Sequence, residues 1–142
     1  QATPVAECVG EGASGPYGEN PPVLDDDSGV MTYTRIEFAG YEASFGNELN
    51  ALTLNGVGSG TELHHIQTHY GLDDGFEWFG GSVDGQYLVS SEAGDDHFDW
   101  TEGYRGRNQF LLAYQSGRLT PAAIHEYVAL TRTDLPDDHP GW

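Results

Sequence analysis

Six carboxylates recur in two short segments that share the same internal spacing. An acidic pair is followed three residues later by a third acid, and the pattern returns 22 residues further along the chain. The six residues are Asp73, Asp74, Glu77, Asp95, Asp96 and Asp99. Carboxylate oxygens are the ligands that calcium prefers, and it gathers six to eight of them. We therefore predict that these residues are calcium ligands.

Two other interpretations of the same carboxylates stay open. Aspartates often accept hydrogen bonds from the backbone of their own turn, in which case they would be hydrated turn caps. A carboxylate pair can also act in general acid–base catalysis. Whichever applies, carboxylates stacked about 4.8 Å apart repel one another. A cation, turn N–H groups or arginines such as Arg105 and Arg107 must offset that repulsion.

The repeat includes aromatic residues as well as acids. Phe76 and Trp78 lie on either side of Glu77, and Phe98 and Trp100 lie on either side of Asp99. A fixed period of this length is typical of stacked architectures, in which each unit buries its apolar face against its neighbours. We predict that these four rings form an interior ladder. The alternative is an exposed aromatic strip beside carboxylates, of the kind that binds carbohydrate.

Two columns of short strands advance together along the chain. In the first strand, regular alternation predicts that Ile36 and Phe38 share one face. Thr34, Ile66, Leu88 and Leu111 align in one column, with steps of 32, 22 and 23 residues, and segments beginning at 52, 76 and 98 align in the other. Glycine-rich turns join them and leave little room for crossover helices. The pattern predicts an all-β fold, a parallel β-helix (β-solenoid) with about 22–24 residues per coil.

Three regions follow from this pattern. Residues 1–29 are predicted to be an extended N-terminal arm or loop, 30–117 the β-helix coils, and 118–142 a C-terminal cap or tail, with either a short helix or a further strand at 121–130. The first step of 32 residues implies an insertion at 41–50. Cys8, the only cysteine, lies in the arm, where no base or basic cluster is placed to activate it.

Charge excludes some classes of partner. The formal net charge is −18 and all five basic residues are arginines. Such a field repels phosphate backbones and anionic lipids, so nucleic acid is not an expected partner. No run of 18 apolar residues exists, and we therefore expect no membrane span.

Histidines offer a weaker metal prediction. On a regular strand, His65 and His69 share a face and His64 points the opposite way, which makes a site built from this strand alone unfavourable. His97, beside the acidic residues, is the remaining candidate to join a transition-metal site. We expect surface histidines rather than ligands.

The segments 33–40, 50–61, 73–81, 95–100 and 103–106 resemble, in order and spacing, a family of large secreted or surface-anchored bacterial proteins. That family consists of right-handed parallel β-helix proteins, mostly of unassigned function. The resemblance implies a right-handed coil, and a chain that is a piece or a short member of a longer type. It carries no catalytic residues across. Ala51 stands where the family has glycine, and His64 and His65 stand where an acid and an aromatic are usual.

Together these observations predict an extracellular or cell-surface, non-enzymatic β-solenoid that binds glycan or another surface protein and is stabilised by Ca²⁺. One alternative is a polysaccharide-active enzyme, a lyase or hydrolase, which rests on analogy of fold. The other is a filament subunit that associates end to end through an open coil face.

Overall fold

A computed structural model describes residues 17–18, 21–42 and 49–116. These residues form seven strands that all pair in parallel. The strands are β1 (Val30–Glu37), β2 (Leu52–Asn55), β3 (Glu62–His69), β4 (Phe76–Phe79), β5 (Gly85–Ser91), β6 (Phe98–Thr101) and β7 (Asn108–Tyr114).

Odd and even strands form separate sheets. One sheet has the order β1-β3-β5-β7 and the other has the order β2-β4-β6. Each of the first three coils therefore contributes one long and one short strand, β7 is the long strand of a fourth, and strands of successive coils lie side by side. This is the predicted right-handed parallel β-helix.

The predicted columns match the observed register. Thr34 pairs with Ile66, Ile66 with Leu88, and Leu88 with Leu111. In the second sheet Leu52 pairs with Phe76, and Phe76 with Phe98. The repeated residue types therefore predicted the pairing correctly in both sheets.

The interior holds the predicted aromatic ladder. Phe76 and Trp78 are fully buried and Phe98 is 1% exposed, while Trp100 is half-buried against them. The Phe76 and Phe98 rings stack with their centroids 5.2 Å apart. Leu54, Leu63, Ile66 and other aliphatic side chains complete the core. These aromatic residues are therefore core, and a carbohydrate-binding strip at these positions is excluded.

Each long strand bends at one residue with left-handed backbone geometry. Tyr33, His65, Tyr87 and Phe110 have φ between 49° and 62° and occupy equivalent positions in four coils. Such geometry is unusual for bulky residues and is unfavourable by about 1–3 kcal/mol each. The regular alternation predicted for these strands therefore breaks at one position per coil.

A second left-handed position follows the strand ends. Phe38 has φ 53° and Tyr70 has φ 54°. The alternating pattern had predicted that Phe38 shares a face with Ile36, but Phe38 is 73% exposed while Ile36 is half-buried. The positive φ turns the side chain outward, so that prediction was wrong.

Part of the predicted arm lies against the solenoid. Ser59 N donates to Leu24 O at 2.9 Å, and Gly60 N donates to Asp26 O at 3.1 Å. At the insertion, Leu49 N donates to Tyr41 O at 3.1 Å, which closes the base of the loop. Residues 1–16 of the arm (which include Cys8) and 19–20, the middle of the insertion (43–48) and the cap at 118–142 lie outside the described residues.

Gly94 lies where two coils approach closely. Its N–H donates to Asp73 O at 3.1 Å, and a Cβ at this position would overlap the carbonyl oxygen of Leu72. Gly94→Ala is therefore expected to lower the free energy of unfolding by about 1–3 kcal/mol, measured by urea denaturation. Gly71→Ala is the matched control, because its Cβ would come no closer than 3.3 Å to any neighbour. Equal losses in the two variants would contradict this explanation.

Candidate functional site

Parallel register brings the two acidic segments together. Asp73 and Asp74 lie in the turn before β4, and Asp95 and Asp96 lie in the equivalent turn before β6. Glu77 pairs directly with Asp99 across the two strands. The backbone N–H of Gly75 donates to Asp96 O at 2.8 Å, so the turns stack in the same register as the strands.

Five of the six predicted carboxylates form two overlapping groups. Asp73, Asp74 and Asp95 form one, and Asp74, Glu77 and Asp99 form the other; within each group the ligand oxygens lie within 4.8 Å of one another. We call these five residues the acidic cluster. Asp74 belongs to both groups and is its centre. Asp96 lies beside the cluster, where its backbone N–H donates to Asp74 Oδ1 at 2.9 Å.

The cluster ranges from surface to interior. Asp95 is exposed, Asp73 is half-buried, and Asp74 and Glu77 are 7% and 6% exposed. Its buried end is closed by Asn50, whose side-chain amide donates to Glu77 Oε2 and, at 3.2 Å, to Thr53 Oγ1. The arrangement is therefore open to solvent at Asp95 and closed at Glu77.

Burial raises the pKa of Asp74 well above its ordinary value. Desolvation is the largest cause, and the negative charges of Glu77, Asp73, Asp99 and Asp96 add to it. An ionised Asp74 is thus unfavourable unless a positive charge lies beside it. Either a proton or a bound cation would relieve the repulsion.

The number and type of ligands in the acidic cluster suit a hard cation. Two groups of carboxylates joined at Asp74 offer the ligand type that Ca²⁺ and Mg²⁺ prefer, and no thiolate or imidazole belongs to either group. Asp74 Oδ1 also accepts the N–H of Asp96 in the next coil, so this hydrogen bond joins two stacked turns and does not cap the turn of Asp74 itself. The hydrogen bond and an ion are compatible, since a carboxylate has a second oxygen for an ion.

His97 does not join the acidic cluster. It is 2% exposed, and its Nδ1 lies 2.8 Å from Ser90 Oγ, a side chain that is itself fully buried. Burial lowers the pKa of His97. The sequence had made His97 the remaining metal candidate; the structure places it among the polar residues of the interior instead.

The histidines of β3 also differ from expectation. His64 and His65 were predicted to point in opposite directions, but their Nδ1 atoms are 2.8 Å apart. The left-handed φ of 53° at His65 turns both rings to the outer surface. His69 lies further along, with Nδ1 2.8 Å from Ser91 Oγ.

An exposed aromatic column runs along the outside of the four-stranded sheet. The rings of Tyr33, His65, Tyr87 and Phe110 stack in sequence with centroids 4.6, 4.5 and 4.7 Å apart. We call these four residues the outer column. Its members recur with the same steps as the strands, so alignment could have found it.

A groove of about 480 Å³ follows the outer column. Its other side is formed by Arg35, Gln67 and Val89, which lie two residues further along β1, β3 and β5. Arg35 Nη1 donates to Gln67 Oε1 at 3.0 Å and its guanidinium pairs with Glu37. The groove is open to solvent and combines an apolar wall with amide and guanidinium donors.

In the described part of the chain, no helix has the length and apolar character needed to span a membrane.

Comparison with known proteins gives one match. No curated protein and no solved structure matches the chain significantly. The family model of the pectate-lyase like beta helix domain matches residues 4–127, which is most of the chain and includes every strand described above. The chain therefore belongs to the family of the pectate-lyase like beta helix domain.

Proposed function

We propose that this chain is an extracellular, non-enzymatic β-helix module that binds neutral glycans along its outer column, with calcium in the acidic cluster stabilising the solenoid. The observation that carries the proposal is the stack of four aromatic rings on the solvent face of a rigid sheet. Tyr33 is 78% exposed, and Tyr87 and Phe110 are exposed as well. Apolar rings held at strained backbone positions on a surface favour a binding role.

The shape of the groove supports an elongated ligand. The outer column spans four coils, which is about 14 Å along the solenoid axis at about 4.8 Å per coil. A sugar chain presents apolar C–H faces and hydroxyl groups along its length. The C–H faces would pack against Tyr87, Phe110 and Val89. The hydroxyl groups would form hydrogen bonds with Arg35 and Gln67. Such a mixture of apolar surface and a few placed polar groups is typical of ligand sites.

Charge favours neutral glycans over acidic ones. The chain carries a formal net charge of −18, and the arginine nearest the groove is already paired with Glu37. A polyanionic polysaccharide would be repelled by this field at moderate ionic strength. The name of the family does not argue otherwise, because a fold does not determine a reaction. The extracellular setting is inferred from the resemblance to secreted β-helix proteins.

Calcium is the cation that we assign to the acidic cluster. Calcium accepts six to eight oxygen ligands in irregular arrangements, whereas magnesium requires a near-octahedral set and retains several waters. The carboxylates of two stacked turns provide many oxygens without octahedral order. An ion at this position would lie between consecutive coils and would bind only when they are stacked. It would therefore stabilise the folded solenoid.

A polysaccharide lyase or hydrolase is the second candidate. The raised pKa of Asp74 beside the carboxyl group of Glu77 favours it, because glycoside hydrolysis needs one carboxyl group that holds its proton more tightly than usual near a second carboxyl group. Against it, both side chains are more than nine-tenths buried. A glycosidic bond would have to reach them from the solvent-exposed end of the cluster at Asp95. We therefore favour the binding module.

Tyr87→Ala is expected to weaken the retardation of the protein in native gels that contain a soluble neutral β-glucan. The substitution opens a gap in the middle of the outer column and removes one wall of the groove, so we expect at least a tenfold loss of affinity, about 1.4 kcal/mol. Tyr114→Ala is the matched control, since Tyr114 is exposed on the same sheet but lies outside the groove.

The same gels distinguish the alternatives. Retardation by polygalacturonate rather than by neutral glucan would contradict the charge argument, and no retardation by either would contradict glycan binding. Release of reducing or unsaturated ends from any of these polysaccharides, lost in Asp74→Asn, would establish the enzyme instead.

A further inference from the structure

We propose that His64 and His65 form a two-imidazole chelate for a divalent transition metal, with copper(II) as the preferred ion. The site is separate from the acidic cluster and lies on the outer surface of β3. Consecutive residues of a regular strand point to opposite faces and cannot both ligate one ion. Here the left-handed φ of His65 removes that obstacle and brings the two Nδ1 atoms to 2.8 Å.

The distance between the two Nδ1 atoms favours a right-angled coordination geometry over a tetrahedral one. Metal–imidazole bonds of about 2.0–2.1 Å at a right angle place the two nitrogens about 2.8–3.0 Å apart, whereas a tetrahedral angle places them about 3.3 Å apart. In the metal-free protein the 2.8 Å contact is a hydrogen bond between the rings, and an ion that replaces its proton needs almost no change in this distance to hold both nitrogens at adjacent tetragonal positions. Tetragonal sites with nitrogen ligands are typical of copper(II) and nickel(II), and copper(II) binds most tightly in the divalent series.

Glu62 fixes the tautomer that the site needs. Its Oε1 lies 2.7 Å from His64 Nε2, so that nitrogen carries the proton and donates it to the carboxylate. With that proton on Nε2, the lone pair of His64 Nδ1 accepts the Nδ1–H of His65 across the 2.8 Å contact, and an ion that binds both nitrogens moves the His65 proton to Nε2 of its ring. A carboxylate that accepts the distal N–H of a ligating histidine is the usual partner in metal sites, because it orients the ring and raises its basicity.

The outer column holds the second ring in place. His65 stacks between Tyr33 and Tyr87 at centroid distances of 4.6 and 4.5 Å. Tyr33 also meets the edge of His64 at 5.8 Å. Both ligands are therefore oriented before an ion arrives, which reduces the ordering that binding requires. The remaining coordination positions face solvent and would be occupied by water.

Only the second coil has ligands at these positions. The equivalent pairs in the other coils are Thr32 with Tyr33, Gln86 with Tyr87, and Gln109 with Phe110. None of them provides two imidazoles. The backbone geometry that permits chelation recurs in each of these coils, but two adjacent imidazoles occur only once among the described strands.

The test is a titration of the untagged full chain with copper(II), with glycine as competing chelator and excess calcium to occupy carboxylates. We expect one tightly bound copper whose electron paramagnetic resonance spectrum shows coupling to two imidazole nitrogens. His64→Ala and His65→Ala should each weaken binding at least tenfold and leave coupling to one. Glu62→Gln should weaken it by about tenfold to a hundredfold while retaining both nitrogens. His69→Ala is the matched control and should change neither quantity.

Two results would overturn the proposal. One is copper affinity in His64→Ala and His65→Ala equal to that of the parent, which would place any bound copper elsewhere. The other is a parent spectrum without coupling to two nitrogens. Circular dichroism of each variant checks that the solenoid remains folded, so loss of the fold cannot be taken for loss of a ligand.

Discussion

Trp78→Ala is expected to lower the free energy of unfolding by about 3–5 kcal/mol, a large part of the stability of a domain of this size. Trp78 is the largest fully buried side chain among the described residues. Its ring packs against Phe76, Phe98 and Tyr104 at centroid distances of 6.0, 6.5 and 5.5 Å. Truncation would leave a cavity bounded by backbone that adjacent coils hold in register, so the core cannot collapse to fill it.

Two further variants test whether burial determines the loss of stability. The free energy of unfolding of each is measured by urea denaturation followed by far-ultraviolet circular dichroism. Trp100→Ala removes the same residue type from the paired position in the next coil, where the ring is only half-buried, and should be markedly less destabilising. Trp78→Phe retains most of the apolar contact and removes an indole N–H that has no hydrogen-bond partner. It should therefore be less destabilising than Trp78→Ala. Equal losses for Trp78→Ala and Trp100→Ala would contradict the burial argument.

Register was the part of the fold that the sequence predicted best. Parallel stacking places equivalent residues of successive coils next to each other, so selection for packing leaves similar residues at a fixed step. Phe76 with Phe98, and Trp78 with Trp100, are such pairs, and the structure pairs them directly. The same logic brought Glu77 opposite Asp99 and therefore predicted that the acids meet.

Backbone handedness was what the sequence could not predict. Tyr33, Tyr87 and Phe110 are residue types that favour extended strands, so a positive φ at these positions contradicts local preference. Stacking of each ring on the next coil stabilises the bend, by about 0.5–1.5 kcal/mol per pair. That stabilisation is a tertiary effect. The outward turn of Phe38 and the meeting of His64 with His65 both depend on such bends.

The burial of each carboxylate in the acidic cluster also could not be predicted from the spacing of the acids in the sequence. Equal spacing makes Asp73 and Asp74 look equivalent, yet one is half-buried and the other is 7% exposed. The difference depends on how the turn before β4 lies against Asn50 and Asp96, two residues from other coils. Consequently the raised pKa of Asp74 follows from the fold and not from the local sequence.

Calcium is expected to raise the stability of the solenoid by about 2.7 kcal/mol at a hundredfold excess over its dissociation constant, seen as a thermal midpoint several degrees higher than in chelator. Asp74→Asn combined with Asp96→Asn should abolish the increase. In chelator at pH 7, Asp74→Asn alone should be at least as stable as the parent, because asparagine is neutral, whereas Asp74 must either carry a buried charge that four other carboxylates repel or take up a proton on folding. In calcium the order should reverse, because the parent alone retains the central ligand.

The pH dependence gives an independent test with a definite sign. The pKa of Asp74 is raised on folding from its ordinary value of 3.8, so its stabilising contribution is complete below that pH and is lost as pH rises through the folded value. In chelator, the stability of the parent relative to Asp74→Asn should therefore fall between pH 4 and pH 7, and calcium should remove that fall. Asp84 provides the control. Arg107 donates a hydrogen bond to its carboxylate and lowers its pKa, so the contribution of Asp84 to stability is lost as pH falls and not as pH rises. Asp84→Asn should retain the full response to calcium. If calcium leaves the thermal midpoint of the parent unchanged at both pH values, the acidic cluster is neutralised by protons alone and the calcium assignment is wrong.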